Sequence, residues 1–480
     1  MNDSSHLMSL LELSRAVGGR LLSGGEEQPP RTPPASLQSA GFFSVCIDSR
    51  AAKSGALFVA LRGAEQDGHR FVQAAFERGA VAALVDFRAL EDSSLGLAAV
   101  AQSRNCVLVA VDDTLKALQS AAAAYLARFP KLVRIGITGS SGKTTTKEIA
   151  AAIIRQEKQV VMNEGNLNSE TGLPLAVFNV REHHEIGIFE VAMNNPGEIA
   201  PLARVLKPHI VLITNIGVAH IGQLGSRDAI ALEKKQVFSY FDGSNTALIP
   251  AEDDYRDFLA EGIAGRAVFY GEHSLADLRG VKDMGLEGTE INWNGQSVRL
   301  RLPGKFNRAN AFAAISLAQE LGVSSQSVCK GLESVQALFG RGEILRGRTT
   351  LLRDCYNSNP ASAAAAVEFC DSLEWKEGRR VYIVGSMLEL GEMAEREHAT
   401  LGKQLASCKA DMLFLYGKEM QAAAAVLKNG AIPCFHTAAI DDLSRAVDAY
   451  IQRGDLVLLK GSRGVALEVL TDILVEGGGA

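Results

Sequence analysis

Apolar and polar positions fall in short blocks along this chain, and the blocks predict an α/β protein. Leu7, Leu10, Leu11, Ser14 and Val17 lie at helical spacing, and Gly18-Gly19 ends that helix. Gln28–Pro34 holds four prolines in seven residues and is a loop. The run from Phe43 to Ile47 is a strand that delivers Asp48, Ser49 and Arg50 to its end. Ala56–Leu61 is another. Asp67-Gly68-His69 leads into a helix over Phe71–Arg78, closed by Gly79, and further strands lie at Val81–Val85 and Cys106–Val111. This small unit ends near Phe129-Pro130.

The next block has apolar strands at Val133–Thr138, Ile186–Val191 and Ile210–Ile216 with helical stretches between, the pattern of a buried parallel sheet. Trp293-Asn-Gly-Gln296 is a hairpin turn signal. From about Gly342 the alternation resumes. Strands at Thr350–Cys355, Arg380–Val384, Met412–Tyr416 and Leu456–Leu459 alternate with helices, and Gly385, Gly417 and Gly461 stand at three of their ends. The reading is three α/β domains: a small N-terminal domain (1–130), a central parallel-sheet phosphate-loop ATPase domain (131–341) and a C-terminal doubly wound, Rossmann-like domain (342–480). At 480 residues the chain is too long for one core.

The totals narrow the function. Apolar residues make up 47% and charged residues 22%, as in a soluble globular protein. The net charge, 49 − 55 = −6, argues against a nucleic-acid partner. Seven scattered cysteines, none in a CxxC pair, read as reduced thiols of a cytoplasmic protein. No apolar run approaches the ~20 residues of a membrane span. Asp3, with no early Lys or Arg, argues against a signal peptide. The Gly477-Gly478-Gly479 tail is the one low-complexity end.

Ligands of parallel sheets sit at the carboxyl ends of the strands, so the residues just past each strand are the candidates for chemistry. After Val133–Thr138 come Gly139, Ser140, Ser141, Gly142, Lys143, Thr144 and Thr145, then a helix. A glycine turn entering a helix N-terminus is an anion site. The glycines admit phosphate to the backbone, Lys143 reaches the outer phosphates and Thr144 is placed for Mg²⁺. The usual phosphate loop begins with a glycine where this chain has Ile137. Glu190 closes the second strand, as a hard-cation ligand or as a solvated carboxylate. His220 lies beyond the third, after Thr214 and Asn215; a lone histidine is more often structural. Lys234 and Lys235 lie in a helix, where adjacent lysines form a solvated face. Asn163–Pro174 is a polar loop able to hold a second anion. Asp354, Tyr356, Asn357 and Asn359-Pro360 crowd one strand end of the third domain.

Together these features resemble the Mur ligases, ATP-dependent amino-acid and peptide ligases of peptidoglycan precursor synthesis. The marks are Asp48-Ser-Arg50, TGSSGKTTTKE with its Ile137 departure, GNLNSETGLP, Glu190, NIGVAH ending at His220, Lys234 in KKQVF, GKFNRANAFAA, Gly340-Arg341, DCYNSNP, GSMLELG and Lys460-Gly-Ser-Arg463. GNLN, the YNSNP run and GSMLELG are most similar to the branch that joins D-alanyl-D-alanine to UDP-N-acetylmuramoyl-tripeptide, and no Asp-Asn-Pro-Arg of the diaminopimelate-adding branch is present. Ser358 and Ser386 depart from the branch pattern.

The resemblance implies an acyl-phosphate mechanism with ATP and Mg²⁺. Thr144 holds one metal ion, and Glu190 with His220 a second. It implies that Lys234 is carbamylated, against the solvated-face reading, with Lys235 the adjacent alternative. It implies that Asn307 and Asn310 face adenine, Arg341 the phosphates and Asp354 the ribose. Asp48, Ser49 and Arg50, with Asn166, Asn168 and Ser169, are implied for the UDP-sugar, and Tyr356, Asn357 and Asn359 for substrate. A cytoplasmic monomer is expected, with no membrane insertion. The rivals are another Mur ligase such as the diamino-acid-adding one, a folylpolyglutamate-type ligase, a phosphate-loop switch and a structural protein.

Overall fold

The structure, a computed structural model, describes residues 6–23, 26–28, 40–63 and 66–476. Most of the proline loop, Asp3 and the glycine tail lie outside the described residues. The chain divides into two compact units. One comprises Met1–Gly136, Val160–Met193 and Gly197–Pro208; the other comprises Ile137–Gln159, Asn194–Pro196 and His209–Ala480.

In the first unit six strands pair in the order Glu26–Gln28, Arg20–Ser23, Val107–Val111, Ala80–Asp86, Ala56–Val59, Ser44–Cys46. The last four are parallel, and Arg20–Ser23 is antiparallel to both its neighbours. Phe58, Val72, Phe76, Val85 and Leu108 fill its core with small alanines between them. The first helix, Leu10–Val17, is defined at both ends. Ser9 and Glu12 form a capping box, and Gly18 takes the left-handed conformation at φ 64°. A second parallel pair, Val160–Met162 with Ile186–Glu190, lies in the same unit.

Two expectations for this unit need correction. The strand after Phe43 stops at Cys46, and Ser49–Ala51 is a 3₁₀ turn capped by Asp48, whose carboxylate accepts the Arg50 N–H. An aspartate offers the backbone this local bond in place of a ladder partner. The Phe71–Arg78 helix likewise begins as a 3₁₀ turn, Gly68–Phe71, capped by Asp67, before Val72–Glu77.

In the second unit the strands Ile210–Ile213, Asn245–Pro250 and Gly265–Tyr270 are parallel neighbours. The helix Lys143–Ile154 comes directly after the glycine loop, and helices Lys305–Glu320 and Ser325–Ser334 pack on it. A Cβ at Gly331 would lie 2.3 Å from Ile153 Cα, so this helix pair needs a glycine where it crosses. Strands Leu278–Asp283, Thr289–Trp293 and Gln296–Leu300 form an antiparallel meander. Asn294 and Gly295, at φ 49° and 73°, make the turn that Trp293–Gln296 signalled.

The C-terminal sheet runs Glu343–Arg346, Thr350–Asp354, Leu456–Lys460, Arg380–Gly385, Met412–Tyr416, Cys434–Thr437. It is parallel except for its first strand, an antiparallel edge that the doubly wound expectation did not include. Leu351, Ile383, Phe414 and Leu459 meet Leu443, Val447 and Leu470 in its core. All seven cysteines are unpaired. No helix among the described residues is long and apolar enough to cross a membrane.

Candidate active site

The glycine loop is shaped by what lies behind it. Gly139 and Gly142 have φ of 147° and 79°. A Cβ would stand 1.9 Å from Thr214 Oγ1 at the first and 2.3 Å from Asn310 Oδ1 at the second. Both positions therefore require glycine for space as well as for backbone angle. Thr214 Oγ1 donates to the Ser141 carbonyl at 2.6 Å. Asn215 accepts the Ser141 N–H at 3.1 Å and donates to its hydroxyl at 3.0 Å, while Ser140 Oγ accepts the Gly217 N–H at 2.8 Å. Asn310 accepts the Thr146 hydroxyl at 3.2 Å, and Asn307 Nδ2 donates to the Pro303 carbonyl at 2.8 Å. Both asparagines are buried. Lys143 Nζ folds back to the Gly139 carbonyl at 2.8 Å. Thr145 and Arg341 line one small open cleft with Glu148, Leu302 and Gln336.

Lys234 is not on a solvated face. Ile230, Ala231 and Lys234 are the buried residues of helix Arg227–Lys235, and Lys234 is 1% exposed. Burial, and then the charge of Lys143, push its pKa well below the usual lysine value. Lys235 instead reaches outward. Its Nζ donates to the Phe258 carbonyl at 2.5 Å and lies 4.4 Å from the Phe258 ring. Of the two adjacent lysines, Lys234 is the interior one.

In the first unit Glu190 is 2% exposed. The amide of Asn168 donates to its Oε1 at 2.7 Å. Asn163, fully buried, accepts the Glu190 N–H at 2.9 Å and donates to its carbonyl at 3.1 Å. The polar Asn163–Pro174 loop thus orients this carboxylate, while Ser169 Oγ accepts the Gly172 N–H and Asn166 is exposed. Asp48 and Arg50 form a bidentate surface pair at 2.7–3.1 Å, which holds the Asp48 carboxyl at about 2. Ser49 is buried beside them.

In the C-terminal region Asp354 pairs with the buried Lys460 at 3.1 Å, and Lys460 donates to the Asn357 carbonyl at 2.6 Å. Arg341 stacks 4.0 Å from the centre of the Tyr356 ring. Asn359 caps the helix Pro360–Ser372, its side chain accepting the Ser362 N–H, which is the ordinary use of an Asn-Pro pair. His220 Nδ1 lies 3.1 Å from Glu389 Oε2. Sequence reasoning singled out the GSMLELG run but gave Glu389 no part; its one signal was a carboxylate inside a strand-end loop. Among the described residues no three His, Cys, Asp or Glu side chains cluster as a metal site. The expected donor set holds only two such groups. Taken one by one, the expected donors suit a hard cation: Glu190 is an oriented carboxylate, Thr144 a buried hydroxyl and His220 an imidazole.

Comparison with known proteins decides the family. The description "Mur ligase middle domain" matches residues 137–318, "Mur ligase, glutamate ligase domain" residues 340–463 and "Mur ligase family, catalytic domain" residues 43–126. The UDP-N-acetylmuramoyl-tripeptide–D-alanyl-D-alanine ligase of Treponema pallidum (strain Nichols) is 42% identical over 90% of this chain and 94% of its own. The chain belongs to the Mur ligase family. This Mur ligase is an ATP-dependent enzyme that forms a C–N bond, with the three-domain α/β fold of the family. The enzyme of the same name from Bacillus subtilis (strain 168) is 35% identical over 90% of this Mur ligase and 93% of its own length. A crystal structure of MurF from Acinetobacter baumannii superposes with TM-score 0.82 at 29% identity, covering 97% of this chain and 98% of that one. The fold is shared with a MurF ligase from Thermotoga maritima solved with ADP (TM-score 0.75, 24% identity, 90% and 97% covered).

Proposed function

We propose that this Mur ligase joins D-alanyl-D-alanine to UDP-N-acetylmuramoyl-tripeptide at the expense of ATP, as a cytoplasmic monomer. The carrying observation is the match over nine-tenths of the chain to enzymes of that name. A carboxylate does not acylate an amine at neutral pH, so it must first be activated. The tripeptide carboxylate attacks the γ-phosphorus of ATP; a C–O–P link forms, and the bond to the β-phosphate oxygen breaks to release ADP. The free amine of D-alanyl-D-alanine then adds to the acyl carbon, and the tetrahedral adduct expels phosphate as the nitrogen loses its proton.

Lys143 and the loop N–H groups offset charge on the transferring phosphoryl group. Thr144, and separately Glu190 with His220, would hold Mg²⁺, which neutralises phosphate charge when bound. Lys234 would carry a carbamate. A buried amine with a depressed pKa is neutral and therefore nucleophilic toward CO₂; an N–C bond forms, one C=O π bond of CO₂ opens to give the carboxylate, the nitrogen loses a proton to solvent and the neutral amine becomes an anion. Arg341 and Thr145, on one cleft, suit the nucleotide phosphates, and Asp354 the ribose. Asn307 and Asn310 would face the adenine, and Asn310 also backs the loop, since a Cβ at Gly142 would meet its Oδ1. Asp48, Ser49, Arg50, Asn166, Asn168 and Ser169 would serve the UDP-sugar, and Tyr356, Asn357 and Asn359 the peptide end. Domain limits at 130 and 341 go with this assignment.

The test is phosphate release from ATP with UDP-N-acetylmuramoyl-tripeptide and a panel of amines. Dependence on D-alanyl-D-alanine is the expected result. Dependence on glutamate or a diamino acid overturns the substrate, and turnover without any amine overturns the ligase mechanism.

A further inference from the structure

The Gly385–Gly391 segment has no part in the steps above, yet it reaches the helix just past His220. The backbone of Leu390 and Gly391 lies against the short helix Ile221–Leu224. A Cβ at Gly222 would stand 2.5 Å from Gly391 N and 2.6 Å from the Leu390 carbonyl carbon, so nothing larger than glycine permits the approach. The residue before that helix is His220, and the residue before Leu390 is Glu389. Both are non-glycine residues in the left-handed region, at φ 63° and 66°. In the orientation that satisfies both ends, the Gln223 amide donates to the carbonyls of His220 and Glu389 at 3.2 and 3.3 Å. Strain of this kind persists where surrounding contacts over-determine it, and it gathers at functional sites.

The two side chains complete the junction. His220 Nδ1 is 3.1 Å from Glu389 Oε2, within ion-pair range though not aligned as a hydrogen bond, and Nδ1 is buried with no other partner among the described residues. A histidine that ligates a metal through one ring nitrogen commonly gives its other N–H to a carboxylate, which fixes the tautomer and the ring plane.

We propose that Glu389 is a positioning residue for His220: the docked Leu388–Gly391 turn holds the imidazole through Nδ1 and leaves Nε2 as the ring nitrogen free to serve as ligand. The proposal rests on the metal-ligand reading of His220 and deepens it. His220 belongs to the central part of the chain and Glu389 to the C-terminal part, so the site is fully set only while this turn is docked.

The experiment is direct binding of Mn²⁺ to the full-length protein with a non-hydrolysable ATP analogue, read as loss of free-ion electron paramagnetic resonance signal, with thermal melting as the folding control. Glu389→Ala is expected to weaken Mn²⁺ about tenfold. Glu389→Gln, which keeps an acceptor oxygen, should recover most of that. Gly222→Ala leaves both side chains in place but blocks docking, and should match Glu389→Ala. His220→Ala should weaken binding as well, and His220→Ala/Glu389→Ala no further than His220→Ala alone. If His220→Ala weakens binding while Glu389→Ala and Gly222→Ala leave it unchanged, the positioning role is overturned. If His220→Ala itself has no effect, the metal-ligand reading falls and takes the proposal with it.

Discussion

At the scale of single residues, this site depends on what each side chain or glycine faces beneath it. Gly142→Ala would place a methyl group 2.3 Å from Asn310 Oδ1 at a φ of 79°. The backbone angle alone costs about 1–2 kcal/mol. We expect at least a tenfold loss of nucleotide affinity by calorimetric titration, with the melting temperature of the rest of the protein little changed. Lys234 shows how far the sequence could be read. Its neighbours Glu233, Lys235 and Gln236 make the stretch look solvated, and only the register with Ile230 and Ala231 hints at the interior. Charge composition cannot reveal that one of two adjacent lysines is buried, because the helix turns by about 100° between them. The lowered pKa has a stability consequence. The unfolded chain holds more protons than the folded one below 10.5, so unmodified Lys234 opposes folding at neutral pH, and the opposition fades as pH rises to that value. Protein stripped of CO₂ should therefore gain stability from pH 7 upward in urea titrations, a gain that Lys234→Met lacks. With ¹³C-bicarbonate the native protein should show a carbamate resonance absent from Lys234→Met, and the variant should lose about a hundredfold or more in ligation rate.

At the scale of elements, the strands that the sequence revealed are the buried ones. Val133–Thr138, Met412–Tyr416 and Leu456–Lys460 read as apolar runs because both faces of a parallel sheet are covered. The edge strands Glu343–Arg346 and Cys434–Thr437 are short and only half-buried, so no periodicity announces them. Turns built by an aspartate, such as Asp48 before Ser49–Ala51, are likewise mistaken for strand ends when only hydrophobicity is traced. The GSMLELG turn is held by a histidine from the next helix: His398 Nε2 accepts the Met387 N–H at 3.0 Å, and Nδ1 faces the Ala394 carbonyl at 2.6 Å. With Nε2 accepting, the ring is neutral and carries its proton on Nδ1. Burial lowers its pKa from 6.5. The folded state thus binds fewer protons than the unfolded one below 6.5. The stabilisation is complete above that value and is lost as pH falls toward the lowered folded pKa. Denaturant titrations at pH 7.5 and 5.5 should show this loss in the native protein. His398→Gln should have a flatter pH dependence and be less stable at pH 7.5 by about 1 kcal/mol, the worth of a hydrogen bond.

At the scale of the whole molecule, the question is how a reactive acyl phosphate is kept from water. The segment joining the central and C-terminal parts has the means to move. Gly340 and Gly342 have φ of 66° and 73° on either side of Arg341. The first is tied down: the Tyr356 N–H donates to the Gly340 carbonyl at 2.9 Å, and Arg341 stacks on the Tyr356 ring. The second is free of crowding, since a Cβ there would meet nothing nearer than 3.7 Å. Gly342 is therefore the position at which the chain can turn while Gly340 and Arg341 travel with the C-terminal sheet. If closure over the nucleotide excludes water, small-angle scattering should show a more compact particle once an ATP analogue and UDP-N-acetylmuramoyl-tripeptide are added together. Gly342→Ala penalises the left-handed angle by about 1–2 kcal/mol without a steric clash. It should alter that compaction and lower kcat roughly tenfold while leaving the affinity for nucleotide alone near the native value. Native protein with identical scattering in both states would show that water is excluded without hinge motion, and a Gly342→Ala enzyme with unchanged kcat would place any hinge elsewhere.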